Sequence, residues 1–186
     1  MELNIERSRI VQEVEQWLKQ VVVGLKLCPF AAEPLLNQRV RIWVSTAKTE
    51  EALLTDLQSE LTLLDQVHSD ELETSILVAP LMLTDFEMYN EFLYLVNLLL
   101  QEFDWERLYQ VASFHPHYCF AGVEPEATEN LTNRSPYPLL HILREKSVSE
   151  ALASFEQPEM IPIRNIKTVE NLTSKKKQQL FPYLYP

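Results

Sequence analysis

Apolar residues recur at helical spacing in three long stretches of the chain. The first stretch runs from Glu6 to Leu27, the second follows Thr49, and the third runs from Thr84 to about Phe103. Apolar positions three and four residues apart predict amphipathic helices, each with one buried face. Thr49 is a suitable N-cap for the second helix, and Thr84 with Glu87 forms a capping box for the third.

Three shorter stretches have the pattern of strands. Arg39–Thr46 alternates and is rich in β-branched residues, Thr74–Pro80 is a continuous apolar run, and Arg107–Phe114 is the third predicted strand. Because these strands alternate with the helices, we predict one α/β domain over residues 1–186, with a small, mainly parallel sheet and flanking helices. A ferredoxin-like, antiparallel α+β arrangement is the alternative, since three strands do not fix the topology.

A less regular segment runs from His115 to Arg134, at the end of the third predicted strand. Ligands bind at such strand ends in open α/β sheets, and long loops of this kind are often functional. Beyond the loop, Ser135 and Pro136 predict the start of a further helix. Ser147 and Glu150 predict a capping box for a short helix after it. The remainder of the chain predicts a short strand and a terminal helix.

Charge is distributed unevenly along the sequence. The net charge is −11, and residues 49–106 contain fourteen acidic and no basic residues. We interpret this middle third as a solvated acidic face, which would also steer anionic ligands toward the residues after Arg107. No basic stripe is present that would favour nucleic-acid binding. The chain lacks a membrane-spanning stretch, a signal-peptide pattern and a disulfide framework, so we expect a cytoplasmic protein that binds neither nucleic acid nor membrane.

The loop begins with a candidate metal site. His115, His117 and Cys119 stand two residues apart, so on an extended chain they would point to one side. Two histidines and a third ligand can hold zinc or a similar divalent ion. The alternative is that one histidine is a buried, hydrogen-bonded residue and that Cys119 belongs to the core.

Cys28 is the candidate nucleophile. It precedes Pro29, where the first helix must end. At a helix C-terminus the dipole would raise the pKa of the thiol, whereas as the N-cap of a short helix starting at Pro29 the thiol would have a lowered pKa. A pair of Cys28 with His115 or His117 is one interpretation, and a buried structural cysteine is the other.

A third pattern predicts anion binding. Ser135 as an N-cap would leave free backbone N–H groups beside Asn133 and Arg134, and His141 and Arg144 would share one face of the same helix. Such a group would suit a phosphate or a carboxylate. The alternative is a well-capped helix whose arginines pair with nearby glutamates.

Three motifs carry a resemblance to a known family. They are GLKLCPFA at Gly24–Ala31, SFHPHYCFAG at Ser113–Gly122, and ENLTNRSPYPLLHILRE at Glu129–Glu145. With them the chain resembles the bacterial domain-of-unknown-function family 1415 over nearly its whole length. The resemblance implies a bacterial, cytoplasmic protein and assigns no catalytic residue.

The sequence as a whole predicts a small hydrolase or group transferase that acts on a small anionic or phosphorylated substrate. His115 or His117 would transfer a proton and Cys28 would line the pocket or act as nucleophile, while the anion-binding residues are Asn133, Arg134, Ser135, His141 and Arg144. One alternative is a non-catalytic binding protein that forms a homodimer through the apolar helix around Phe92–Leu100. The other is a metal-dependent enzyme that uses His115, His117 and Cys119 to hold a divalent metal.

Overall fold

A computed structural model describes the backbone of residues 2–185 and the side chains of residues 6–185. Within this range one four-stranded sheet has the order β1-β2-β4-β3. Its strands are β1 (Val40–Val44), β2 (Thr74–Val78), β3 (Tyr109–Phe114) and β4 (Leu139–Arg144). The strands β1 and β2 are parallel, and β4 is antiparallel to both β2 and β3.

The predicted α/β class is confirmed, but the prediction of a mainly parallel sheet is wrong. The three strands expected from the sequence run in the same direction, and the unexpected strand β4 lies between β2 and β3 in the opposite direction. The antiparallel ferredoxin-like alternative is also wrong, because β1 pairs directly with β2 in parallel.

The prediction of a helix that begins at Ser135 is wrong, since residues 139–144 form β4. Ser135 caps no helix, and its hydroxyl donates to the carbonyl oxygen of Tyr137 at 2.6 Å. Leu139, Leu140 and Ile142 are fully buried between the two layers of helices. Pairing with β2 and β3 satisfies the backbone hydrogen bonds of this apolar segment. A helix at the same place would leave the facing edges of β2 and β3 without hydrogen-bond partners.

Helices connect and cover the strands. The helices are α1 (Glu2–Trp17), α2 (Ala32–Leu36), α3 (Glu50–Gln66), α4 (Phe86–Glu102), α5 (Glu145–Ala153), α6 (Ile161–Glu170) and α7 (Ser174–Leu180). A π-helical segment, Leu18–Val23, extends α1 up to Gly24. At Gly24 a Cβ atom would lie 2.3 Å from the carbonyl oxygen of Gln20, so only glycine fits this end of the helix. None of the described helices is both long enough and apolar enough to cross a lipid bilayer.

The helix termini follow the sequence only in part. Thr49 caps α3 as predicted, accepting from the backbone N–H of Ala52. The cap of α4 is Asp85 rather than Thr84. The helix α5 begins at Glu145, so the capping box predicted at Ser147 and Glu150 is wrong, and no side chain caps this helix. The short strand expected near the C-terminus is also wrong, because 3-10 and α-helical residues occupy that segment.

Two hydrophobic clusters lie on opposite faces of the sheet. One cluster joins the sheet to α1, the π-helical segment and the C-terminal helices, through residues such as Trp17, Ile76 and Phe181. The other joins the sheet to α3 and α4, through residues such as Leu57 and Phe92. The predicted buried face of α3 is confirmed, since Leu53, Leu57, Leu61 and Leu64 are all fully buried.

Candidate functional site

The predicted catalytic histidine His115 is fully buried at the end of β3. Its Nε2 atom lies 2.9 Å from the carbonyl oxygen of Leu83, and its Nδ1 atom lies 3.0 Å from the backbone nitrogen of His117. The Nδ1 atom accepts from a backbone N–H, so Nε2 carries the proton and donates to Leu83. Burial lowers the pKa of His115. Both ring nitrogens are therefore engaged by the protein, and the geometry makes His115 a link between the loops after β2 and β3.

The three candidate metal ligands do not converge on one point. The rings of His115 and His117 have centroids 5.9 Å apart, but Nδ1 of His115 is occupied by the backbone of the same loop. The thiol of Cys119 donates to the carbonyl oxygen of Val123 at 3.2 Å. Within the described part of the chain, no group of three or more His, Cys, Asp or Glu side chains is placed to hold a metal ion. The residues present do not fit the predicted divalent metal.

The polar residues of the predicted anion site hold the loop together. Asn133 donates to the carbonyl oxygen of Ser113 at 3.2 Å. Arg134 donates to the carbonyl oxygens of Tyr118 at 3.2 Å and Pro125 at 2.6 Å, and burial lowers the pKa of its guanidinium. Because the strand β4 follows these residues in place of the predicted helix, Ser135 is not an N-cap and offers no free backbone N–H groups of a helix to an anion.

His141 and Arg144 lie on opposite faces of β4, since side chains three residues apart on a strand point to opposite faces of the sheet. The prediction that they share one face is wrong for this reason. Arg144 lies on the α3 side, where its Nη2 donates to the carbonyl oxygens of Leu64, Val67 and Leu72 at 2.7–3.0 Å. These carbonyls are at and just beyond the C-terminal end of α3, where a cation is favourable. The guanidinium of Arg144 is therefore a structural group.

The Cys28–His141 cavity, which we name after two of its lining residues, lies on the α1 side of the sheet. Its volume is about 710 Å³, and its walls are the segment 28–35, the start of β1 and β2, the end of β4, and α5. Thr74 and Val40, at the first positions of their strands, lie at its base. The cavity is thus at the opposite end of the parallel strands from the predicted site. It brings together Cys28 and His141, which are 113 positions apart in the sequence (141 minus 28).

The hydrogen bonds of His141 leave one ring nitrogen free. The hydroxyl of Thr74 lies 2.5 Å from the carbonyl oxygen of Ile142 and 2.8 Å from Nε2 of His141. A hydroxyl has a single proton, so Thr74 donates to Ile142 and accepts from Nε2–H of His141. The Nδ1 atom of His141 then carries a lone pair, and it has no hydrogen-bond partner among the described residues.

Accessibility and charge state agree with this assignment. Among the described side chains, Nε of Arg144 is the nitrogen or oxygen atom that is both inaccessible to solvent and without a hydrogen-bond partner. Since Nδ1 of His141 also has no partner, it must be accessible to solvent. Since His141 lines the cavity, we infer that Nδ1 faces it. Burial lowers the pKa of His141 to about 4, and the imidazole is neutral at neutral pH. His141 presents a hydrogen-bond acceptor to the cavity.

Cys28 is at a turn before α2 and is a free, partly buried thiol. Burial raises the pKa of this thiol, and the nearby backbone N–H groups of Phe30 and Ala31 oppose that effect without overcoming it. The thiol is therefore protonated at neutral pH, so the structure does not provide the activated thiolate that a nucleophilic role requires.

The charged residues around the cavity are mainly acidic. Arg39 donates to Glu33, to Glu73 at 3.3 Å and to the carbonyl oxygen of Ser69 at 2.7 Å, so its charge is already paired. Asp70 and Glu150 also line the cavity. A negatively charged ligand would meet these carboxylates without a free cation to offset them.

Cys28 and His141 are both candidates in the sequence, but in different predicted sites. Thr74, Arg39 and Glu73, at the polar end of the cavity, are not among the residues predicted from the sequence. Of these three residues, Thr74 could have been found from the sequence, because its hydroxyl stands at the start of an apolar run. In the structure this run is a strand that is buried throughout.

The fold and site define an α/β protein with a mixed four-stranded sheet and a cavity lined by Cys28 and His141. The chain belongs to the family described as "Protein of unknown function (DUF1415)", whose model matches residues 9–179. This confirms the family indicated by the three sequence motifs. No curated protein and no solved structure matches the chain.

Proposed function

We propose that this protein binds a small, largely apolar and uncharged molecule in the Cys28–His141 cavity. The observation that carries the proposal is that His141 lines the cavity while its hydrogen bond to Thr74 uses Nε2, which leaves Nδ1 without a partner among the described residues. A ligand with one hydroxyl or amide N–H donor would complete the hydrogen bonding of this imidazole.

The size and lining of the cavity support this ligand class. A volume of about 710 Å³ lies within the range of ~300–1,000 Å³ that holds small organic ligands. Apolar side chains form much of the wall, including Leu18, Phe30, Leu35, Ile76, Leu143 and Val148. An apolar wall with few polar groups is typical of such sites, where the polar groups set the orientation of the ligand.

Electrostatics favour an uncharged ligand over the anionic one expected from the sequence. Glu33, Asp70, Glu73 and Glu150 line the cavity, and its cation Arg39 is held by protein oxygens. The guanidinium of Arg144 lies on the other face of the sheet, where it bonds to carbonyl oxygens at the end of α3. An anion in this cavity would lose its hydration and gain no unpaired cation in return.

The hydrolase or group transferase predicted from the sequence stays a prediction. In this cavity Cys28 and His141 would be its reacting groups, in place of His115 and His117. Their opposite pKa shifts leave a protonated thiol and a neutral, weakly basic imidazole in one cavity, and this combination supports binding better than nucleophilic catalysis. The cytoplasmic location also stays a proposal, supported by two free cysteines, Cys28 and Cys119.

Two substitutions on α5 test the binding proposal. Ala151 lines the cavity, whereas Ala153 on the same helix is exposed. We expect phenol, benzyl alcohol and benzamide to shift the ring-nitrogen resonances of His141 in nitrogen-15 NMR spectra. Ala151→Trp should abolish these shifts by filling the cavity, and Ala153→Trp should preserve them. Equal shifts in both variants, or no shift of His141 with any of these probes, would contradict the proposal.

A homodimer through α4 remains the second candidate. Phe92, Val96 and Leu100 of this helix are buried within the chain, but Tyr94 is 66% exposed and Leu98 is 42% exposed one turn further on. These two side chains would supply the apolar contact between two copies. Light scattering during size-exclusion chromatography would show a dimer, and Tyr94→Lys should convert it to a monomer; a wild-type monomer would remove this candidate.

A further inference from the structure

A second cavity lies next to the first and differs from it in charge. Its volume is about 570 Å³, and it lies between the turn after α1, Ala32 at the start of α2, the residues after α5, and α6. Cys28 and Pro29 line both cavities. We call it the Lys26–Arg164 cavity after the two cations that line it.

The two cations have no partner in the described part of the chain. Neither the ammonium of Lys26 nor the guanidinium of Arg164 takes part in an ion pair or a side-chain hydrogen bond among residues 6–185. No aspartate or glutamate is among the described residues that line this cavity. Two unpaired positive charges therefore line one cavity on a chain whose net charge is −11.

The backbone holds both cations at the same cavity. Lys26 has φ of 56°, in the left-handed region that non-glycine residues rarely adopt. The next carbonyl oxygen, that of Leu27, accepts a hydrogen bond of 2.7 Å from the side chain of Asn165 on α6. This bond connects the turn that carries Lys26 to the helix that carries Arg164, so both residues start from segments that are in direct contact.

We propose that the Lys26–Arg164 cavity binds the phosphate or carboxylate group of a small organic anion. Lys26 and Arg164 would provide the charge, and Asn165, whose amide has a second N–H besides the one that donates to Leu27, lines the same wall. Arginine donates in pairs to phosphate and carboxylate oxygens, and lysine adds a point charge. Phe155 and Ile161 line the remaining wall, which suits an anion with an aromatic or branched apolar body.

This site is distinct from the proposed ligand site and does not rest on it. The Cys28–His141 cavity is lined by several carboxylates and takes an uncharged molecule, whereas the Lys26–Arg164 cavity is lined by cations alone among charged groups. The anion site proposed here thus lies on residues other than those that the sequence predicted for an anion.

Phenyl phosphate is the probe, with phenol as its uncharged counterpart. We expect saturable binding of phenyl phosphate by isothermal titration calorimetry at low salt, weakened as the salt concentration rises. Lys26→Gln and Arg164→Gln should each raise the Kd about threefold to fivefold, as for other partly exposed charge pairs, and the double variant about tenfold. Since neither side chain bonds to the protein, both variants should keep the thermal stability of the wild type.

Lys175→Gln and Arg107→Gln are the matched controls, because they remove the same charges from exposed positions outside both cavities. They should leave the Kd unchanged. A second control, Ala151→Trp, blocks only the first cavity and should also leave phenyl phosphate binding intact.

Four results would overturn the proposal. The first is no saturable binding of phenyl phosphate, and the second is an unchanged Kd in the double variant. The third is equal weakening by the control substitutions, which would show attraction to the overall charge of the protein. Loss of binding in Ala151→Trp would assign the anion to the first cavity instead. The tests are separable, because the binding proposal is measured with uncharged probes and His141 resonances.

Discussion

Replacement of His141 by glutamine should remove a pH-dependent part of the stability of the protein. The side-chain amide introduced by His141→Gln can still donate to Thr74, but it does not titrate. In the native protein burial lowers the pKa of His141 to about 4, compared with about 6.5 in an unfolded chain. Between these two values the unfolded state binds a proton that the native state does not, so stability falls as the pH decreases.

The magnitude follows from the two pKa values. At pH 7 both states are mostly unprotonated at this residue, and the difference is a few tenths of a kcal/mol. At pH 5 the unfolded histidine is protonated and the native one is not, which destabilises the fold by about 2 kcal/mol. The full loss, about 3 kcal/mol, is reached below pH 4, where both states are protonated.

Urea unfolding at pH 7 and pH 5 measures this effect, followed by circular dichroism. His115, whose pKa burial also lowers, and the carboxylates titrate in both proteins, so the informative quantity is the difference between wild type and His141→Gln. We expect the wild type to lose about 2 kcal/mol more than the variant between the two pH values. Equal losses in both proteins would refute a buried, neutral His141 and remove the main support for the ligand site.

Three further predictions concern the remaining residues. Arg144→Met should lower the free energy of unfolding by about 3 kcal/mol in urea titrations, because three carbonyl oxygens lose a charged donor. Arg144→Lys should recover part of this free energy. A loss below about 0.5 kcal/mol in Arg144→Met would contradict the structural role. His115→Ala should destabilise the fold by about 3 kcal/mol through its two lost hydrogen bonds and the space it leaves. An unchanged thermal midpoint in that variant would return His115 to the catalytic candidates. Alkylation of Cys28 by iodoacetamide, followed by mass spectrometry, should still accelerate above pH 9 because burial raises the pKa of the thiol, and a plateau below pH 8 would show an activated thiolate.

The sequence predicted most elements that have a strong local pattern. The helix α3 has both a capping threonine and four leucines at helical spacing, and β2 is an apolar run ended by proline. Local chemistry and tertiary burial favour the same structure in these segments, so the pattern was sufficient.

The segment that became β4 shows where the sequence signal is ambiguous. Leu139–Leu143 is a short apolar run after two prolines, which suits a buried strand or a buried helix equally well by periodicity. Its short length favours a strand, whereas Ser135 and Pro136 suggested a helix start. Hydrogen bonds to β2 and β3 on both sides decided the outcome, and they depend on residues 25 or more positions away.

Some residues of the candidate site could be predicted from the sequence, but which of them lie close together in the fold could not. His115 and Arg134 look functional in sequence because their types are reactive, yet their partners are backbone carbonyls of Leu83, Tyr118 and Pro125. Such partners have no residue-type signature, so no pattern could reveal them. Cys28 and His141 line one cavity because α5 and the segment after α1 cover the same end of the sheet.

The position of β4 has a consequence for the order in which the chain can fold during synthesis. The β1–α3–β2 unit is complete once Val78 has left the ribosome, but β3 has no neighbouring strand until Arg144 has also emerged. Until then β2, which is buried along its whole length in the finished protein, has one unpaired edge. Exposed apolar edges of this kind recruit other strands. A nascent chain that stalls between β3 and β4 is therefore the species most prone to aggregate.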